Sequence, residues 1–241
     1  MDTVIIVGTY TKPLGHVHGK AKGIHVLRHN VKEGTLHVVA SDVEGFGEGP
    51  SYLSTLRSQR SDDGATLRVA LVACNEGEAD LAPSTLTFAE LSIPMSNHDD
   101  GSSSSVVTAV SRGVAVIGAP PTPCHVSASG QWVVAATYCG GSVSSHKVTI
   151  AEVDGHVSVS DAVCLVQQSQ FSNINQSRQE AAHAHQAIFL NETTLLVCDL
   201  GADSVTTYHL DSQTGGLTCR DMFALPPGCG PRHLAVHPSK S

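Results

Sequence analysis

A chain of 241 residues with 15% charged and 4% aromatic side chains and 22 glycines suits short strands joined by tight turns better than long, charge-laced helices. Its formal net charge of −8 argues against non-specific binding to nucleic acid or an anionic membrane. Apolar runs such as Val4 to Val7 and Trp132 to Ala136 fall far short of the ~20 residues that a membrane-spanning helix requires.

The elements follow in order. "TVIIVGTY" opens the chain on an alternating strand with no basic leader segment before it. "GIHVLRHN", "TLHVVASD", "TLRVALVAC", "STLTFAELSI", "CHVSASG", "QWVVAATY", "SVSSHKVTI", "HQAIFL", "TTLLVCDL", "SVTTYHL" and "RHLAVHP" are further short β-type runs bounded by Gly, Asp, Asn or Pro. No window sustains a 3.6-residue apolar period, so the expectation is all-β. Seven cysteines at irregular spacing, with no CxxC pair, fit a reducing, cytoplasmic setting better than a disulfide framework.

The strands recur as a phrase. "GPSYLSTL" from Gly49, "TPCHVSAS" from Thr122, "AHAHQAIF" from Ala182 and "GPRHLAVH" from Gly230 share a small residue or Pro, a variable residue and an alternating strand. Polar corners follow in "ACNEGE", "ATYCGGS" and "VCDLGADS". The phrases start 73, 60 and 48 residues apart, and the shortest interval approaches the roughly 40–50 residues of a four-stranded propeller blade. Two stretches account for the longer intervals: the Ser/Asp/Gly-rich 94–113 and the polar 167–181. Both are expected as mobile insertions within one domain covering 1–241, the second, just before the histidine pair, being either a solvated linker or a loop beside the site.

Taken in order, "VGTYTKPLGHVHGKAKGIHVL", "GPSYLSTL" with "ACNEGE", "PCHVSASGQWVVAATYCGGSVSSHKV", "AHAHQAIF" with "LLVCDLGADSVTTYHLDSQTGGL", and "GPRHLAVHP" resemble the seven-bladed β-propeller lactonase family. The likeness runs through essentially the whole chain. It departs at Ala182, where the family usually has Pro, and at Ser241, beyond which the family continues for about three more blades. The resemblance implies an incomplete propeller of about four to five blades. It implies a hydrolase that opens a small anionic sugar lactone without a cofactor, 6-phosphogluconolactone to 6-phosphogluconate being the first expectation. A carboxymuconate-lactonising cyclase-like enzyme and an inactive remnant serving as a binding module are the alternatives. Neither nucleic acid nor membrane is an expected partner; edge-to-edge self-association is, because an open ring leaves strand edges unpaired.

The residues suited to this chemistry lie on the repeated phrases. Strand alternation places His183 and His185 on one face, with Ala184 and Gln186 on the other. His125 and His233 occupy matching places in neighbouring phrases, and Arg232 adjoins His233. These imidazoles and the guanidinium are expected to converge at one end of a central channel. Lactone hydrolysis needs a base for water, donors for the oxyanion and a group to fix the substrate. His183 or His185 can take the proton near neutral pH, and Glu76 of "CNEGE" is a second candidate base. Arg232 suits a bidentate grip on phosphate or carboxylate, with a salt bridge between blades as the alternative. Asn75 is a candidate donor to the lactone oxygens, and Asp199 either orients a histidine or shapes its turn. A His-x-His pair can also ligate zinc, but zinc needs a third ligand that the spacing does not demand, so no metal is expected. There is no G-x-S-x-G elbow, and neither Cys124 nor Cys198 has an activating partner in sequence.

Overall fold

The computed structural model describes residues 3–15, 17–77, 84–95, 106–118, 122–151 and 156–238. Among these residues the chain forms strands and turns and no helix, so nothing described is a helix long and apolar enough to cross a membrane. The first sheet pairs β1 (Thr3–Val7) with two later strands, after a minimal hairpin of β2 (Pro13–Leu14) and β3 (Val17–His18). Those later strands are β4 (Ile24–Asn30) and β5 (Thr35–Val43), in the order β1-β4-β5.

Three four-stranded antiparallel meanders follow. The second sheet holds β6 (Pro50–Arg60), β7 (Thr66–Asn75), β8 (Thr85–Pro94) and β9 (Thr108–Val116). The third holds β10 (Pro123–Ser129), β11 (Trp132–Thr137), β12 (Ser142–Ile150) and β13 (Val157–Gln167). The fourth holds β14 (Ala184–Asn191), β15 (Thr194–Asp199), β16 (Ser204–Leu210) and β17 (Leu217–Ala224). The first strands of these meanders, β6, β10 and β14, lie side by side as inner strands. They carry the repeated phrases found in the sequence. The result is an all-β series of propeller blades, three complete and one of three strands.

The period-two alternation of each second strand explains how the sheets stack. Val69, Leu71 and Ala73 of β7 face the first sheet, where they bury Ile24, Val26 and Phe46. Ala70, Val72 and Cys74 of the same strand face the third sheet, against Val126, Val133 and Ala135. Strand β11 repeats the division: Trp132, Val134 and Ala136 turn to Leu195, Val197 and Tyr208 of the fourth sheet. A strand buried on both faces reads as a continuous apolar run, which is what "TLRVALVAC" and "QWVVAATY" are. Each fully buried Val, such as Val72 or Val133, contributes about 1.5–3 kcal/mol of transfer free energy.

The two expected insertions differ from a pair of loose loops. Residues 96–105 lie outside the described residues, but the stretch 94–113 already contains most of β9, and Val107 is buried in the core. The stretch 167–181 begins with the last residue of β13 and continues as a loop tied down by hydrogen bonds. Ser172 N donates to Gly201 O at 2.8 Å, Gln179 N donates to Asn175 O at 2.7 Å, and the buried Gln179 side chain donates to Leu200 O at 2.9 Å. One expected strand does not form among the described residues: "RHLAVHP" has no ladder partner there and runs as irregular chain past the head of β14. Leu234 N donates there to Gln186 Oε1 at 2.6 Å.

Candidate functional site

Each inner strand opens with the same irregularity. The pairing register slips between Pro50 and Tyr52 in β6, between Pro123 and His125 in β10, and between Ala184 and Gln186 in β14. The extra residues are Ser51, Cys124 and His185. A bulge sets two residues against one on the partner strand and re-aims the side chains beside it. The structural counterpart of His185 is therefore Cys124, and that of His125 is Gln186. This corrects the expectation from strict alternation, which sent Gln186 away from the histidines. Gln186 Nε2 instead lies 3.4 Å from His125 Nε2.

The histidines from the phrases do converge. Arg232 Nε donates to His185 Nε2 at 3.0 Å. His233 meets His185 edge-on with ring centroids 5.0 Å apart, and His125 lies 6.4 Å from His233. The Tyr52 ring stands 4.1 Å from His125. Tyr138 stacks on His183 at 4.3 Å and meets His185 edge-on at 5.7 Å. His125, His183 and His185 are buried, whereas Arg232 and His233 are exposed at the mouth.

Burial and mutual repulsion keep the inner rings neutral. Burial pushes His125 down to about 3, with His233 and His185 adding to the effect. Burial, the Arg232 guanidinium and His233 push His185 down to about 4. His233 moves the same way, through burial and Arg232. Both inner rings have Nε2 facing a group that only donates, the Arg232 Nε–H for His185 and the Gln186 amide for His125. Their protons therefore sit on Nδ1. The Nδ1 atoms of His125 and His185 are buried and make no hydrogen bond of normal geometry among the described residues, although the Ala187 backbone near His125 and the backbone of His185 itself pull weakly toward the charged ring.

His183 is built differently. Its Nδ1 lies 3.0 Å from Tyr138 O and its Nε2 lies 3.1 Å from Glu180 Oε1, so both ring nitrogens face acceptors. Its main chain is fixed by Asp199, whose Oδ1 accepts from His183 N at 2.8 Å and from Ala202 N at 3.0 Å. Burial raises the Asp199 carboxyl against the pull of those N–H groups. Asp199 thus serves the corner and the backbone of His183 rather than holding its imidazole. Two glycines let this segment pass close by. A Cβ on Gly141, at φ +52°, would fall 2.4 Å from Ala182 O, and one on Gly201 would fall 1.8 Å from Ala181 O.

Glu76 sits at the equivalent corner of the second sheet, just beyond β7. Its Oε2 accepts from Tyr10 Oη at 2.8 Å. The Tyr10 hydroxyl is raised by burial and by Glu76, while Arg232 pulls it the other way, so Tyr10, Glu76 and Arg232 share one electrostatic neighbourhood. The Cys124 thiol is likewise pushed up, first by burial and then by Glu76, which makes it an inert hydrophobe rather than a nucleophile. Asn75 departs from its expected role. Its Nδ2 donates to Phe46 O at 2.7 Å and Glu48 O at 3.0 Å, and its Oδ1 accepts from Thr87 Oγ1 at 2.7 Å. That amide is committed to holding the 46–48 loop.

Five further groups belong to this mouth: Tyr10, Tyr52, Tyr138, Glu180 and Gln186. A signal existed for two of them. Tyr52 occupies the place of His125 in its phrase, and Tyr138 ends the polar corner after β11. Among the described residues no group of three or more His, Cys, Asp and Glu side chains is arranged to hold a metal ion.

A family model described as "Lactonase, 7-bladed beta-propeller" matches residues 4–241. A 6-phosphogluconolactonase of Bacillus subtilis (strain 168) is 38% identical over 125 residues, an overlap of 50% of this chain and 33% of that protein. Among solved structures, a candidate 6-phosphogluconolactonase of Bacteroides fragilis superposes with a TM-score of 0.67 at 23% identity, over 96% of this chain and 57% of that one. A protein of Lactobacillus plantarum superposes with a TM-score of 0.64 at 25% identity, over 97% of this chain and 56% of that one. The chain therefore spans little more than half the length of these structural relatives.

Proposed function

Because the chain belongs to the seven-bladed β-propeller lactonase family, we propose that its histidine-lined mouth hydrolyses a sugar lactone, 6-phosphogluconolactone, to 6-phosphogluconate. The observation that carries this reading is the convergence of His125, His185, His233 and Arg232, drawn from two inner strands and the segment beyond the fourth sheet. The likeness to the Bacillus subtilis 6-phosphogluconolactonase supports the choice of substrate.

Hydrolysis of a lactone adds water to the carbonyl carbon, passes through a tetrahedral oxyanion and breaks the ring C–O bond, releasing a carboxylate and a hydroxyl. His185 is poorly suited to deprotonate the water. Its Nε2 lone pair already accepts from Arg232, and its pKa of about 4 makes it a weak base. Glu76 takes that proton in this reading, its carboxylate oriented by the Tyr10 hydroxyl. In this reading His233, exposed at the mouth, donates to the developing oxyanion, while His125 and His185, whose Nδ1 atoms are shielded from solvent, shape the wall behind it. His183, held between Tyr138 O and Glu180, supplies the proton to the departing ring oxygen. Arg232 binds the anionic end of the substrate.

The test is a coupled assay of freshly made 6-phosphogluconolactone on the purified chain, read against spontaneous hydrolysis. The expected result is acceleration that Glu76→Gln reduces by about 10²–10⁴-fold in kcat, the range of a lost general base. A folded sample that gives no acceleration over the spontaneous rate overturns the reading.

A further inference from the structure

The loop between β13 and β14 brings a second guanidinium to the mouth. Arg178 Nε donates to Tyr138 Oη at 3.2 Å, and Tyr138 is the ring that touches both His183 and His185. Arg178 and Arg232 therefore stand at the same histidine cluster, one bonded to Tyr138 and the other to His185. Neither has a carboxylate at ion-pair distance among the described residues. The acidic groups nearby are engaged elsewhere: Glu180 with His183 and Glu76 with Tyr10. Arg178 also contributes to the field that keeps His185 neutral, after burial, Arg232 and His233. In a chain of net charge −8, two guanidiniums without a carboxylate partner among the described residues, set beside neutral imidazoles, are suited to a local anion.

One residue holds both segments that carry these arginines. Asp203, at the turn from β15 to β16, accepts from Gln179 Nε2 at 2.7 Å and from Gly230 N at 2.7 Å on Oδ1, and from Gly228 N at 2.6 Å on Oδ2. Gln179 follows Arg178 directly, and Gly230 lies two residues before Arg232. Asp203 adopts a left-handed φ of +51°, a conformation that is costly for a residue with a Cβ and is kept where the surroundings require it.

We propose that Arg178 and Arg232 form a two-pronged site for a phosphate monoester dianion, and that Asp203 is the positioning residue that sets the two prongs relative to each other. The identity of the ester rests on the lactonase reading above; the anion site does not. Each prong supplies charge-assisted, fork-shaped hydrogen bonding suited to phosphate oxygens.

The experiment titrates inorganic phosphate, 6-phosphogluconate and gluconate into the full chain by calorimetry, for the wild type, Arg178→Met, Arg178→Lys and Asp203→Asn. Arg178→Met should weaken phosphate and 6-phosphogluconate about 10-fold and gluconate less than about 2-fold, with Arg178→Lys recovering part of the loss. In turnover, Asp203→Asn should raise KM for the phosphorylated lactone more than it lowers kcat, and raise it more than KM for glucono-1,5-lactone. Equal losses for phosphorylated and unphosphorylated ligands, or no phosphate binding to the wild type, overturn the proposal. Arg178-dependent phosphate binding in a chain without lactone turnover would retain the anion site and remove the hydrolytic reading instead.

Discussion

His146 and His185 are both buried imidazoles pushed down to about 4, in each case chiefly by burial. Their surroundings differ. His146, in the middle of β12, lies 2.9 Å from Ser144 Oγ through Nε2 and 3.0 Å from Ser160 O through Nδ1. His185, at the bulged head of β14, accepts from a guanidinium on one side and has an unpartnered Nδ1 on the other. Desolvation alone therefore does not separate these two rings; completeness of hydrogen bonding among the described residues does. The satisfied His146 ring locks its sheet, whereas a buried N–H without an acceptor is a standing cost of about 1–3 kcal/mol, and His185 is the ring that the lactonase reading puts to use.

The broadest way to test the contrast is acid. The folded rings of His125, His146 and His185 hold pKa values of about 3, 4 and 4, below the unfolded value of about 6.5. Between these limits the unfolded chain binds more protons than the folded one, so stability falls as pH drops from about 6.5 toward 4 and is retained above that window. Together the rings should lower unfolding free energy by several kcal/mol, read as a shift in urea midpoint between pH 7 and pH 4.5. A flat profile would break the premise that these rings are buried and neutral.

Next in size is His146→Leu. It removes two hydrogen bonds and strands the Ser144 hydroxyl and Ser160 carbonyl, so it should cost about 3 kcal/mol of stability while leaving phosphate affinity per folded molecule unchanged. His185→Leu should do the reverse. Removing an unpaired buried N–H offsets the lost contacts, so stability should move by under about 1 kcal/mol. Arg232 loses the acceptor that fixes its guanidinium at the mouth, so kcat/KM should fall about 10–100-fold. If the two variants exchange these signatures, the assignment of structural and working histidines is inverted.

What could be read from the residues alone divides along the same line. The inner and second strands were legible because they are apolar on one or both faces and are punctuated by Pro, Gly and Asp. The outer strands β9, β13 and β17 were not. "TAVSRGVAV" and "LTCRDMFA" are largely exposed, so burial imposes no clean alternation on them, and the first was absorbed into a supposed insertion. At the site, His125, His183, His185, Arg232 and His233 were placed together by the repeat. Asn75 was misread because its partners, Phe46 O and Glu48 O, belong to a loop nearly thirty residues earlier. Arg178 was not singled out because its polar stretch reads equally as a linker or as a loop beside the site, and only the bonds from Gln179 to Asp203 and Leu200 bring it to the mouth. Gln186 was sent to the wrong face because a bulge leaves no mark in a binary pattern.

The bulges at Ser51, Cys124 and His185 also bear on how such a mouth can change over generations. The irregular backbone does the aiming, and Leu53, Val126 and Ala187 just beyond each bulge belong to the packed interior. The dipeptides between those fixed points, Ser51-Tyr52, Cys124-His125 and His185-Gln186, behave as exchangeable cassettes in a common frame. A lineage can thus rewrite one wall of the mouth with few codon changes while the scaffold stays as it was, so long as the replacement respects the contacts that Cys124 and Gln186 make with adjoining walls.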